Sequence, residues 1–141
     1  MPLFRLSLRA LLLVAASSAA MGQTKAGAVV ADVPFPFVVA GRQFPAGHYM
    51  VTEESNVCLR ISNSQHQGVF VPTHDSRRSA SDGSKLVFHR YGDTYFLSAV
   101  WVTGKTIGRE LYGSRAERDA AKRKTEMELA VVRPGKLDLA K

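Results

Sequence analysis

Cysteine is nearly absent from this chain, which has only Cys58 among its 141 residues. A single cysteine cannot form an intramolecular disulfide, so the fold must be stabilised without one. Cys58 lies in the alternating segment VCLRI, which favours a small buried side chain over a reactive thiol. A lipid anchor is not expected either, because it would need a cysteine at a signal-peptide cleavage site.

Long apolar runs are also missing, and none reaches the roughly 20 residues that a membrane-spanning helix needs. The most apolar run follows two arginines near the N-terminus and ends in small residues. This order predicts a cleavable secretory signal peptide at residues 1–22, with a buried N-terminal helix as the alternative. Small residues suit a cut before Gln23, which we prefer, or before Met21. We therefore expect an exported protein, periplasmic or extracellular.

The remaining residues, 23–141, have the size of a single domain. The full chain has 19 Lys and Arg against 12 Asp and Glu, a formal charge of +7, and the signal segment contributes two of these arginines. Such an excess favours contact with an anionic envelope surface or an acidic polysaccharide. We expect no nucleic-acid partner, because an exported protein rarely meets one and no recognition motif is present.

The apolar pattern predicts a mainly β fold. Apolar residues alternate from Val29 to Val39, but Pro34 and Pro36 cannot donate ladder hydrogen bonds, so this segment should be an edge strand or a bent one. Further strands are expected at 48–52, 57–61, 68–72, 107–112 and 128–133. The polar segment THDSRRSASDGS, which begins at Thr73, is expected to be a mobile loop.

The strongest local signal is the segment KLVFHRYGDTYFLSAVWV, in which Gly92-Asp93 suits a two-residue hairpin turn. That register pairs Arg90 with Tyr95, Phe88 with Leu97, and Leu86 with Ala99. Further along, Ser114 and Glu117 form a capping box that predicts a helix over RAERDAAKRK. The expected fold is an antiparallel sandwich or partly closed barrel of about seven to eight strands with one short C-terminal surface helix.

Catalytic and metal motifs are missing. The chain has no H-x-x-x-H pair and no G-x-S-x-G element, so we assign no catalytic residue, metal ligand or cofactor. The hypothetical ligand-binding residues are His89 and Tyr91, which alternation places on one face of the hairpin, and Arg109 and Glu110 on a later strand. For the last two, a surface ion pair is the simpler interpretation.

Two resemblances rest on blocks of this sequence. The blocks PFPFVVAGRQFPAGHYMV, LVFHRYGDTYFLSAVW, GREL and SRAER resemble an uncharacterised family of small exported bacterial β-rich proteins, in which they recur in this order. That resemblance implies no activity. The segment FPAGHYMV is also similar to the L-P-x-G-x-Y-x-V turn and strand of prealbumin-like β-sandwich modules found in surface proteins.

These observations favour an exported, non-enzymatic binding or structural module of the cell envelope whose ligand the sequence does not identify. The alternative is a small extracytoplasmic enzyme or metal-dependent protein with a site near His74, His89 and Glu110. A pocket that gathers those three side chains would favour the alternative. A flat or concave patch rich in exposed aromatic or basic side chains would favour the binding module.

Overall fold

The computed structural model describes residues 28–76, 83–123, 126–134 and 136–139. The predicted signal peptide, residues 1–22, lies outside these ranges and stays a prediction. The described ranges contain eleven strands and one helix. In chain order these are β1 (Ala28–Val33), β2 (Phe37–Val39), β3 (Arg42–Phe44), β4 (Gly47–Ser55), β5 (Cys58–Asn63), β6 (Gly68–Ser76), β7 (Lys85–Tyr91), β8 (Thr94–Trp101), β9 (Gly108–Leu111), α1 (Arg115–Arg123), β10 (Glu128–Arg133) and β11 (Lys136–Leu139).

The strands form one sheet that folds into two layers. Its order is β1-β4-β5-β6-β9-β8-β7-β10-β11, and the β2–β3 hairpin joins it through β8. Strand β6 pairs with β5 through its first half and with β9 through its second half, so it passes from one layer to the other. Layer 1 is β1, β4, β5 and the first half of β6; layer 2 contains the other strands and the second half of β6.

The predicted class is confirmed, since the chain is mainly β, sandwich-like and carries one short helix in its described part. Over those residues the sheet does not close into a barrel. The strand number exceeds the seven to eight predicted for two reasons. The segment from residue 28 to residue 44 forms three short strands, and the polar tail contributes β11.

The bend predicted for the first strand is confirmed. The segment Pro34–Phe35–Pro36 separates β1 from β2, because the prolines cannot continue a ladder. Immediately after β2, Ala40 and Gly41 have φ values of 51° and 76°. Two successive residues with positive φ are typical of a type I′ hairpin turn, which produces the additional β2–β3 hairpin.

The core lies between the two layers. Its largest fully buried side chains include Tyr49 and Leu59 from layer 1 and Phe88 from layer 2. The ring of Phe37 contacts both layers, with its centroid 4.9 Å from that of Tyr49 and 5.4 Å from that of Phe88. The hydroxyl of Tyr49 donates to the carbonyl of Pro45 at 2.5 Å, and burial raises the pKa of this tyrosine. The buried phenol therefore keeps a hydrogen-bond partner.

The central hairpin β7–β8 contains a bulge that the sequence pattern missed. The predicted pairs Arg90–Tyr95 and Phe88–Leu97 are confirmed, but the predicted Leu86–Ala99 pair is wrong. The bulge lies at Ser98, which adds one residue to β8, so that Leu86 pairs with Val100. This shift turns Val100 into the core and moves Ala99 and Trp101 to the face of layer 2 that points away from layer 1, the outer face.

The predicted helix is confirmed as α1. The backbone N–H of Glu117 donates to Ser114 Oγ at 3.1 Å, which is one half of the predicted capping box. Ala120 is the buried residue of α1, so the helix lies on the surface as expected. Within the described ranges, no helix has the length and the apolar character that a bilayer crossing requires.

The predicted loop after residue 72 is shorter than expected. Residues 73–76 continue β6, because they pair with β9 from Thr73–Leu111 to Ser76–Gly108. The interpretation of His74 as a loop residue is therefore wrong, since His74 pairs with Glu110 in the sheet. Residues 77–82 of the predicted loop lie outside the described ranges.

Candidate functional site

The four predicted ligand-binding residues do not form one site. Along β8, His89 lies opposite Phe96 whereas Glu110 lies opposite Ala99. The strands of these two residues, β7 and β9, flank β8 on opposite sides, so two strand spacings of the sheet, roughly 10 Å, separate them. His89 and Glu110 share the outer face of layer 2, but Arg109, the neighbour of Glu110, points to the opposite face.

Arg109 connects the two layers at the rim of the sandwich. Its Nε donates to Glu53 Oε1 at 3.2 Å and its Nη1 to the carbonyl of Asn56 at 2.7 Å, while Nη1 also pairs with Asp75. The carboxylate of Glu53 also forms an ion pair with Lys105. The side chain of Arg109 is only 13% exposed. The predicted Arg109–Glu110 surface pair is therefore wrong, and Arg109 ties β9 to β4.

Glu110 belongs to a second cluster on the outer face. It accepts a hydrogen bond from Ser76 Oγ at 2.7 Å, and its other oxygen lies 4.0 Å from His74 Nε2. The His74 ring lies 4.9 Å from the ring of Tyr112. The structure thus brings together two members of the alternative site, His74 and Glu110, and places the third, His89, elsewhere. The described ranges contain no group of three side chains suited to hold a metal ion.

His89 has a side-chain partner on each ring nitrogen. Its Nδ1 lies 2.7 Å from Glu117 Oε1, and its Nε2 lies 3.0 Å from Ser98 Oγ. A carboxylate only accepts hydrogen bonds, so Nδ1–H donates to Glu117 and, in the neutral ring, Nε2 accepts the hydroxyl proton of Ser98. The side chains of His89 and Glu117 are 28% and 14% exposed. We call this arrangement the Ser98–His89–Glu117 chain.

The local fold explains how these three residues meet. Ser98 has no cross-strand partner in the registers of β8 with β7, β2 or β9, because it is the extra residue of the bulge. A bulge re-aims a side chain relative to the strand. The cap at Ser114 starts α1 so that Glu117 falls in its first turn. The carboxylate of Glu117 is then directed at the imidazole on β7.

Tyr91 lies beside this chain, as predicted from its alternation with His89. Its ring centroid is 6.4 Å from that of His89 and 5.9 Å from that of Phe96, both in edge-to-face geometry. Burial raises the pKa of Tyr91, and the negative charge of Glu117 raises it further. The phenol therefore stays protonated and neutral well into the alkaline range.

A small cavity adjoins the same region. It lies where the neighbour of β8 changes from β2 to β9 and has a volume of about 120 Å³. Its lining is mainly apolar, with two polar residues of the helix start, Ser114 and Glu117. The cavity is well below the roughly 300 Å³ of typical small-molecule sites, so it suits a group of only a few heavy atoms.

The outward side of α1 carries a group of exposed cations. Arg115, Arg118 and Lys122 are spaced i, i+3 and i+7 and therefore share one face. Helical geometry places that face opposite Ala120 and Glu117, which contact the domain. The basic face of α1, Arg115, Arg118, Lys122 and the adjacent Arg123, points to solvent.

One carboxylate, Asp119, lies within the basic face. It is 4.0 Å from Arg115, whose side chain is 91% exposed. Arg123 donates to the backbone carbonyl of Asp119 at 3.3 Å. A single carboxylate among four cations leaves the face with net positive charge, and such a face attracts anionic partners.

The outer face of layer 1 has a different character. Val30, Met50 and Phe70 are exposed on it, and the guanidinium of Arg60 lies 5.9 Å from the ring centroid of Phe70. Registers across β1, β4, β5 and β6 place these residues on one side of the sheet. The exposed pair of His48 and Asp32, 2.7 Å apart, lies on the same side. This surface therefore mixes apolar and polar side chains, and it does not have the aromatic or basic richness that would favour a binding module.

Comparison of the chain with protein-family models, curated proteins and solved structures found no match. The resemblances drawn from the sequence blocks therefore stay predictions.

Proposed function

We propose that this protein is an exported binding module of the cell envelope that holds acidic polysaccharide on the basic face of α1. The observation that carries the proposal is the position of Arg115, Arg118 and Lys122 on the side of the helix opposite its contacts with the sheet. A surface built in this way keeps several cations accessible at once. The export itself rests on the predicted signal peptide.

Fixed orientation supports this assignment. The contact of Glu117 with His89, and the buried Ala120, hold the inward side of α1 against the central hairpin. The cations are consequently distributed along about 10 Å of helix, since each residue advances the axis by about 1.5 Å. A polymer with repeated carboxylate or sulfate groups can contact several of these cations simultaneously, which a single anion cannot.

The composition of α1 favours a hydrated polymer over a lipid bilayer. Helices that lie in a membrane interface carry bulky apolar residues such as Trp, Phe or Leu on one face. The apolar residues of α1 are Ala116, Ala120 and Ala121. Alanine supplies little area for insertion among acyl chains. The cations are therefore assigned to a partner that stays in water.

The test measures binding of the purified chain to immobilised polygalacturonate, with neutral dextran as the reference polymer. The variant R115Q/K122Q removes two cations from the basic face. The matched control R42Q/R60Q removes two cations from β3 and β5, which lie elsewhere in the fold. Far-UV circular dichroism and urea unfolding verify that both variants fold.

We expect polygalacturonate binding that weakens with salt and no binding to dextran. The R115Q/K122Q variant should lose roughly tenfold in affinity, because each exposed ion pair contributes up to about 1 kcal/mol. The control should lose less than about twofold. Equal losses in both variants would show a response to net charge alone and overturn the assignment to α1. Binding to anionic lipid vesicles without binding to polygalacturonate would overturn the assignment of acidic polysaccharide as the partner.

A further inference from the structure

We propose that the Ser98–His89–Glu117 chain is a nucleophilic triad that hydrolyses carboxylic esters. This inference goes beyond the binding function and does not depend on it. The chain runs from the Ser98 hydroxyl to His89 Nε2 at 3.0 Å, and from His89 Nδ1 to the Glu117 carboxylate at 2.7 Å. A serine hydroxyl is activated when it bonds to Nε2 of a histidine whose Nδ1 bonds to a carboxylate, and this chain has that connectivity.

The carboxylate is in a favourable place for this role. Glu117 is 14% exposed, so its interaction with the imidazole is weakly screened by water. It holds the ring in the tautomer with the proton on Nδ1, which leaves the lone pair of Nε2 directed at Ser98. It also stabilises the imidazolium that forms when His89 takes a proton.

The bulge places the nucleophile outside the regular ladder. Ser98 is the residue of β8 without a partner in the registers with β7, β2 and β9, whereas Leu97 and Ala99 on either side are paired. Bulges occur frequently beside active sites, where they re-aim a side chain.

The reaction balances without a cofactor. Ser98 Oγ attacks the ester carbonyl while His89 Nε2 takes the hydroxyl proton. The bond from the carbonyl carbon to the alcohol oxygen then breaks, and His89 returns the proton to the departing alcohol. Water next attacks the acyl-Ser98 ester, giving one proton to His89 Nε2. That proton passes to Ser98 Oγ as the bond to the acyl carbon breaks, which releases the carboxylic acid.

The first experiment treats the purified chain with diisopropyl fluorophosphate and locates the adduct by peptide mass spectrometry. We expect a stoichiometric label on Ser98. The variant S98A should lose the label, and S64A, which changes an exposed serine in the β5–β6 turn, should keep it. A folded wild-type chain that takes no label on Ser98 would overturn the proposal.

The second experiment follows hydrolysis of p-nitrophenyl acetate. The variant S98A should lower kcat/KM at least about 100-fold, and S64A should leave it unchanged. E117Q should lower kcat more than it raises KM, because the glutamine still fills its position but cannot stabilise the imidazolium. Equal rates for wild type and S98A would overturn the proposal. An E117Q variant with a changed unfolding midpoint but an unchanged kcat would also overturn the proposal.

Discussion

His89 Nδ1 lies 2.7 Å from Glu117 Oε1, and this hydrogen bond joins the central hairpin to α1. The two residues are 28 positions apart in the chain, so the contact is tertiary. This hydrogen bond affects both sides of the helix. On the inward side it completes the Ser98–His89–Glu117 chain, and on the outward side it turns Arg115, Arg118 and Lys122 to solvent.

The variant E117Q should destabilise the domain by about 2 kcal/mol, because it replaces a half-buried, charge-assisted hydrogen bond by a neutral one. Urea unfolding measures the change. E128Q is the matched control, since Glu128 pairs with Arg90 at 3.2 Å but is 50% exposed, and it should cost less than about 0.5 kcal/mol. Equal losses of stability in the two variants would show that the hydrogen bond between His89 and Glu117 contributes no more than an exposed ion pair.

Phe88 and Phe70 provide a matched pair for the core. Phe88 is fully buried and contacts the rings of Phe35 and Phe37, whereas Phe70 is 62% exposed. The variant F88A should therefore lower the free energy of unfolding by about 3–5 kcal/mol. F70A should change it by about 0.5 kcal/mol or less. Similar losses in thermal or urea unfolding would show that the two layers do not pack as described.

Gly108 is required by its contact with Trp101. A β-carbon added at Gly108 would lie 2.7–2.9 Å from three atoms of the indole, which is closer than van der Waals contact allows. The variant G108A should destabilise the domain by about 1–3 kcal/mol through overpacking. At Gly47 the added carbon would lie 3.8 Å from the ring of Tyr49, so G47A serves as the control. A neutral G108A would show that Trp101 is not seated on β9.

Tyr91 should make stability depend on alkaline pH. Its pKa is raised in the folded state above the ordinary value of 10.0, first by burial and then by the negative charge of Glu117. Above about pH 10 the unfolded chain releases this proton more readily than the folded chain, so stability falls as pH rises through that range. The variant Y91F should show a smaller fall between pH 9 and pH 11 in urea unfolding. An identical fall in both proteins would mean that Tyr91 titrates normally.

The sequence correctly predicted those structural elements that depend only on residues adjacent in the chain. The β7–β8 turn at Gly92-Asp93 and α1 after Ser114 are confirmed because a turn and a cap depend on adjacent residues. The bend before β2 is confirmed for the same reason, since proline removes a ladder donor wherever it stands.

The bulge at Ser98 and the crossing of β6 between layers have no comparable signal. Alternation continued through Ser98 without interruption, so the pattern paired Leu86 with Ala99 instead of Val100. Glu117 was explained by the capping box, and its side chain could be assigned to His89 only once α1 was docked on β7. Arg109 likewise found its partners, Glu53 and Asp75, through tertiary packing.

We propose the basic face of α1 as the binding surface of this protein. The most direct test is a titration of the ¹⁵N-labelled chain with an acidic galacturonate oligosaccharide, followed by amide chemical shifts. We expect the largest shifts at residues 115–123, and we expect them to vanish in R115Q/K122Q. Shifts centred on Val30, Met50 and Phe70 of layer 1, or no shifts at all, would contradict the proposal.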